Sequence, residues 1–193
     1  MLRRLYDFTL QLAAHPKAAW ALAIVAFVES SVFPIPPDAM LIPMVLAERA
    51  KAWFYAAVST IASALGGAAG YAIGLFLFEV AGKPILAFYG YADEFASFSE
   101  RYNAWGAWIV LFAGVTPFPY KVITIASGAT GLNFIVFMLA SVVARGLRFY
   151  LVSGLLYWFG PPIREFIEAR LGLLTIIFFV LLFGGFVVAR YAF

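Results

Sequence analysis

Apolar positions run almost without interruption along this chain of 193 residues, so the interruptions carry the information. Three stretches, approximately 52–78, 133–159 and 171–192, stay apolar over the roughly 20 residues that a helix needs to cross a bilayer. The pattern predicts a transmembrane helix for each. Near the start, Leu2, Leu5, Tyr6 and Leu12 share a helical face, while Arg3, Arg4 and Asp7 lie mostly elsewhere. That predicts a short amphipathic helix over 2–13, lying on the membrane surface and ended by Pro16.

Two further apolar stretches are broken in the middle. Residues 18–28 precede Glu29-Ser30-Ser31-Val32-Phe33-Pro34-Ile35-Pro36-Pro37-Asp38, and apolar 39–47 follow. Residues 105–115 precede Thr116-Pro117-Phe118-Pro119-Tyr120-Lys121, and apolar 122–131 follow. Each half would make a helix of ~13–16 Å, about half of a ~30 Å hydrocarbon core. Proline has no N–H to donate, so irregular backbone falls at membrane depth, where only protein or a wet cavity can cover it.

The two broken segments resemble copies of one unit. Pro34 and Pro36 recur as Pro117 and Pro119, the same offset sets Asp38 against Lys121, and a long apolar span follows each break. Between them, residues 79–104 hold Glu79, Lys83, Asp93, Glu94, Glu100 and Arg101. That stretch is too polar to cross. Its aromatics Phe95, Phe98, Tyr102 and Trp105 recur at helical spacing, which predicts a helix at the interface. One crossing then separates the copies, so they would enter from opposite faces as inverted re-entrant hairpins. Such pairs mark transporters with a midplane site. With both segments re-entrant, Arg3, Arg4, Lys17, Arg49, Lys51, Arg164 and Arg170 fall on one side, which the positive-inside rule makes cytoplasmic. Kinked full spans would change that partition.

Composition agrees with a lipid solvent. The chain is 65% hydrophobic and 12% charged, with mean hydropathy +0.96, whereas soluble domains carry about 25% charged residues. Having no cysteine, it offers no disulfide, thiolate metal site or cysteine nucleophile. The net charge of +3 suits cytoplasmic loops, and no nucleic-acid partner is expected. Polar Asp7, Gln11, His15 and Lys17 interrupt any signal-peptide core. His15, alone beside Pro16, reads as a surface residue. No phosphate-binding loop, Ser-His-Asp arrangement or multi-histidine set appears, so neither enzyme chemistry, a metal nor a cofactor is expected.

Five ionisable residues fall where lipid would penalise them: Glu29, Asp38, Lys121, Arg145 and Arg148. At ~2.5–3.5 kcal/mol each, uncompensated burial would rival the stability of a domain. They are therefore expected to face protein or water and to pair. Three bases against two acids leave +1, a balance that would accept an anion such as a phosphate headgroup. Ser141, Arg145 and Arg148 form one helical stripe, and a guanidinium fork can hold phosphate. The same arginines could instead lock the bundle to its acids, or snorkel from shifted span ends. Glu29 and Asp38 could carry protons, and Asp38 could equally cap the helix 39–47. Gly66, Gly70 and Gly74, with Ser59 and Ser63, form a small-residue stripe that reads as close helix packing, with a lipid-tail path as the alternative.

ESSVFPIPPD (29–38), FAGVTPFPYKVITIASG (112–128) and Arg145-Gly-Leu-Arg148-Phe149 resemble the DedA family. More narrowly they resemble its short YqaA-type branch, within the superfamily of SNARE-associated Golgi or VTT-domain proteins. The resemblance covers about residues 20–160. It implies a multi-pass protein of the bacterial inner (plasma) membrane that moves lipids such as undecaprenyl phosphate or phosphatidylethanolamine between leaflets, often dependent on the proton-motive force. The family's two hairpin acids would correspond to Glu29 and Asp38. Here the acids are closer together than in the family pattern. Where the family has two arginines flanking the second hairpin's proline, this chain has Thr116 and Lys121 in a shifted register. Arg145 and Arg148 would supply the missing positive charge.

The expectation is one all-α integral membrane domain over 1–193, with its core at about 20–160. It comprises two inverted re-entrant hairpins, about three transmembrane helices and interfacial amphipathic helices. Lys121, Arg145 and Arg148 would bind anionic lipid headgroups, while Glu29 and Asp38 balance charge or couple protons. Alternatives are a proton-coupled transporter of a small ion or solute, and a non-transporting membrane scaffold. Self-association is left open.

Overall fold

The computed structural model describes residues 17–32, 36–116, 118–160 and 162. The expected surface helix over 2–13, the third span at 171–192, Pro34, Pro117, Arg164 and Arg170 lie outside the described residues. Within them every regular element is helical.

Helices α1 (Ala18–Ser31) and α2 (Asp38–Ala47) flank the first break, and a short 3₁₀ turn (Arg49–Lys51) leads into α3 (Ala52–Leu77). A π-helical turn (Phe78–Gly82) carries α3 without a gap into α4 (Lys83–Tyr89). Gly90, at φ 73°, ends it in the left-handed conformation that glycine tolerates. Next come α5 (Ala92–Val115), the second break, α6 (Tyr120–Ala129) and α7 (Phe134–Gly160). Helices α3 and α7 are long and apolar enough to cross a membrane; 27 residues of α7 give ~40 Å.

Two boundaries differ from expectation. Glu29, Ser30 and Ser31, expected in the first break, are the last turn of α1. Ser31 Oγ bonds back to the Phe27 and Val28 carbonyls, and Glu29 and Ser30 find partners on other helices, so polarity there does not end the helix. Residues 92–104, expected to belong to a separate interfacial helix, are instead continuous with 105–115 in α5. No proline falls inside that run, and a change of polarity alone breaks no backbone hydrogen bond. The turn at Gly90 and Tyr91 divides 79–104 instead.

Each broken segment turns back on itself. Ala18 and Leu22 from the start of α1 share a core with Met44, Val45 and Leu46 from the end of α2, and with Ala52, Tyr55 and Ala56 from the start of α3. At the opposite end, Tyr102 of α5 bonds Ser127 of α6 at 2.9 Å, and Asn103 Nδ2 donates to the Thr130 carbonyl at 2.9 Å. Tyr102 lies with Tyr71, Leu132 and Phe137 in a second core. The two hairpins thus dock on opposite ends of α3, and α7 runs antiparallel beside it, from Phe134 near Tyr71 to Tyr157 and Trp158 near Trp53.

The glycine stripe of α3 makes this docking possible. A Cβ on Gly66 would collide with the backbone of Phe27 in α1, and one on Gly74 with the backbone of Ile125 in α6. Gly70 lies between them, against Thr124 and the Ser30 carbonyl. Gly128 returns the contact from α6 onto the Tyr71 and Leu75 backbone. One face of α3 therefore seats a half-helix from each hairpin, backbone to backbone, as small residues allow in lipid.

Candidate functional site

The breaks meet between the two cores. A helix that stops leaves its last carbonyls without partners, and here side chains of other elements supply them. Thr124 of α6 donates to the Ser30 carbonyl of α1 at 3.1 Å, and Lys121 Nζ reaches the Val32 carbonyl at 3.5 Å. Arg148 of α7 donates through Nη1 to the Thr116 carbonyl just past α5, at 2.6 Å. Lys121 and Arg148 thus each place a positive charge at the negative end of a helix that stops at a break.

Arg148 also pairs through Nη2 with Asp38 Oδ2, so one guanidinium spans both breaks. The side chains of Arg148 and Asp38 are each 18% exposed. Asp38 is the first residue of α2 and makes no capping hydrogen bond. Its charge suits that helix start, but its bond goes to Arg148, and its other oxygen, Oδ1, is buried with no partner among the described residues.

One turn earlier on α7, Arg145 is enclosed. Its side chain is 2% exposed, and Nη2 pairs with Glu29 Oε2 at 2.9 Å. Nε donates to Ser63 Oγ of α3 at 2.6 Å, and Ser63 shares a 2.6 Å hydrogen bond with Ser30, which donates to Glu29 at 3.2 Å. The guanidinium carbon lies 5.0 Å from the centre of the Tyr120 ring and 4.7 Å from that of Phe149, close enough for cation–π attraction. Tyr120 itself donates to Ser141, the third member of the stripe on α7.

Four of the five expected charges therefore form two acid–base pairs, both joining the first hairpin to α7. Lys121 stands at the same junction without an ion pair among the described residues. Ser30, Tyr120, Thr124 and Phe149 were not singled out from the sequence as site residues. Their signal is slight: Ser30 adjoins Glu29, Phe149 adjoins Arg148, and Tyr120 and Thr124 flank Lys121 within one turn. Among the described residues no group of three or more histidines or acids could hold a metal ion.

A model of the VTT domain matches residues 35–158, a stretch that contains Asp38, Lys121, Arg145 and Arg148. An uncharacterised protein of Haemophilus influenzae is 38% identical over 168 residues, covering 85% of this chain and 87% of that protein. Another uncharacterised protein, from Histophilus somni, is 36% identical over 168 residues with 85% and 87% covered. No solved structure matches. On the extent of the domain match, the chain belongs to the VTT-domain family, the DedA and SNARE-associated family of membrane proteins.

Proposed function

We propose that this protein moves phosphate-bearing lipid headgroups between membrane leaflets, as a flippase or scramblase, through the junction of the two breaks. In this reading both hairpins are re-entrant and dip from opposite faces of the bilayer. The end carrying Lys17, Arg49 and Lys51 is cytoplasmic under the positive-inside rule. The membrane is the bacterial inner membrane in this reading, since the two similar proteins are bacterial and the described spans are helical.

The observation that carries the reading is Arg148, held by Asp38 from one break and by the Thr116 carbonyl from the other. It is partly exposed, and a headgroup phosphate can replace both acceptors with stronger charge-assisted bonds. Lys121 is adjacent across the junction, held by a single long bond to a carbonyl. Arg145 and Glu29 form the enclosed half, which would exchange partners only after the outer pair has opened. Asp38, released from Arg148, becomes the group that balances charge or takes up a proton.

Proteoliposomes carrying a labelled phosphate-bearing lipid test this directly. Arg148→Gln is expected to reduce translocation at least tenfold while the protein remains folded. Wild-type translocation by a Glu29→Gln, Arg145→Ala double variant would reject the assignment. Flux of a water-soluble ion or solute, indifferent to lipid identity, would point to the proton-coupled transporter instead.

The enclosure of Arg145, with hydrogen bonds to Ser63 and Glu29 and two rings beside it, favours a second reading. There the charges only lock the bundle and the protein is a non-transporting scaffold. Loss of fold and abundance together in every charge variant would mark that case, whereas translocation requires variants that fold and fail.

A further inference from the structure

A cavity of about 540 Å³ lies away from the charge junction, between the π-helical turn, α4, α5 and the turn after α6. Its volume falls within the ~300–1,000 Å³ usual for ligand pockets. Leu75, Phe78, Leu86 and Phe95 make its walls apolar, with the Phe78 and Phe95 rings stacked at 4.5 Å. Three features separate it from an ordinary packing gap. The π-helical turn Phe78–Gly82 forms one wall, a distortion that recurs at functional sites. Ser99 Oγ, in another wall, is buried without a hydrogen-bond partner among the described residues. At the rim, Glu79 and Lys83 pair at 2.6 Å, both about half exposed, with Lys83 over the Phe78 ring.

The surroundings fix what reaches the cavity. Val80, Ile85 and Phe88 beside it are 61%, 55% and 83% exposed, a patch that water would not tolerate on a monomer but that lipid covers. Tyr89 and Tyr91 are also exposed, and Asp93 and Glu94 follow them, the mixture found where a protein crosses the headgroup level. The neighbouring phase is therefore bilayer at its interface. We infer that this cavity binds a zwitterionic phospholipid, with an acyl chain between Phe78, Leu86 and Phe95 and the headgroup over Glu79 and Lys83. Paired opposite charges complement an ammonium and a phosphate together, whereas a purely anionic headgroup would meet Glu79. This site requires only that the chain sits in a membrane. It stands apart from translocation at the charge junction.

The test is native mass spectrometry of detergent-purified protein titrated with dioleoyl phosphatidylethanolamine or dioleoyl phosphatidylglycerol. Wild type is expected to retain one phosphatidylethanolamine at least tenfold more tightly than phosphatidylglycerol. Ala96→Trp, which fills the cavity, should abolish that adduct. Glu79→Gln should erase the preference between headgroups while keeping the adduct. Gly146→Ala, on α7 between the two junction arginines, should leave both unchanged. If Ala96→Trp does not fold, Ser99→Leu fills the same space from one turn along. Retention at the wild-type level by whichever filled variant folds overturns the site, as does equal retention of the two lipids by wild type, or loss of the adduct in Gly146→Ala.

Discussion

Arg145 and Arg148 are three residues apart on one helix, yet removing them should have unequal consequences. Arg145→Met leaves Glu29 charged, 13% exposed and stripped of its counter-ion, a situation that costs about 3–5 kcal/mol in buried pairs. Arg148→Met vacates a position that is itself 18% exposed, against 2% for Arg145, so water can enter and solvate Asp38, and a loss of roughly 1–2 kcal/mol is expected. Thermal unfolding in detergent should rank them in that order, and Glu29→Met with Arg145→Met should recover most of the loss. Equal losses would mean that enclosure does not govern the two pairs. The sequence shows that both arginines need company at depth, because cost follows from residue type and position. It does not show which acid meets which arginine. That depends on Ser63 and Ser30 holding Glu29 beside Arg145 and on Asp38 opening α2 beside the Thr116 carbonyl. Apart from Ser30 donating to its neighbour Glu29, these contacts join residues 32 to 116 positions apart, and no local pattern encodes them.

Among the elements, α3 carries the strictest spatial demand. Gly66→Leu and Gly74→Leu would each drive a side chain into the backbone of a hairpin rather than into a movable side chain. Overpacking of this kind costs about 1–3 kcal/mol, occasionally more, and each variant should lower the yield of monodisperse protein and its unfolding temperature. Gly146→Ala is the control. Its Cβ would meet only the Thr60 methyl at 3.6 Å, an ordinary contact, and alanine favours helix by about 1 kcal/mol over glycine. The stripe was legible as close packing because spacing by fours defines one helix face. That it serves two hairpins was not, since the stripe names no partner. Element ends were less legible where polarity misled. Glu29–Ser31 stay helical because their polar groups are satisfied from neighbouring helices, and Ala92–Val115 is unbroken because no proline interrupts it. Pro43 makes the converse point: it lies within α2 without ending it.

The arrangement of the whole molecule turns on whether residues 18–47 enter and leave the membrane on one face. In the structure Ala18 and Leu46 lie in the same core at the first end of α3, which places Lys17 and Lys51 close to that end. A kinked full span would carry the chain across between them. Because the chain has no cysteine, single cysteines report their own position without background. Lys17→Cys and Lys51→Cys should react with a membrane-impermeant maleimide only after the cells are opened. Lys83→Cys and Glu94→Cys should react on intact spheroplasts. A full crossing by α3, 26 residues and ~39 Å long, would separate the two pairs. Should Lys17→Cys label from the side opposite Lys51→Cys, the first hairpin crosses the bilayer and is not re-entrant. The junction at Arg148 would then join a kinked span to a hairpin, and the pseudo-symmetric path proposed for a headgroup would lose one of its two entrances. Labelling of both lysine positions from the cytoplasm leaves the first break reachable only part-way through the membrane, from that leaflet. In that geometry, opening the Asp38–Arg148 pair would connect the two sides.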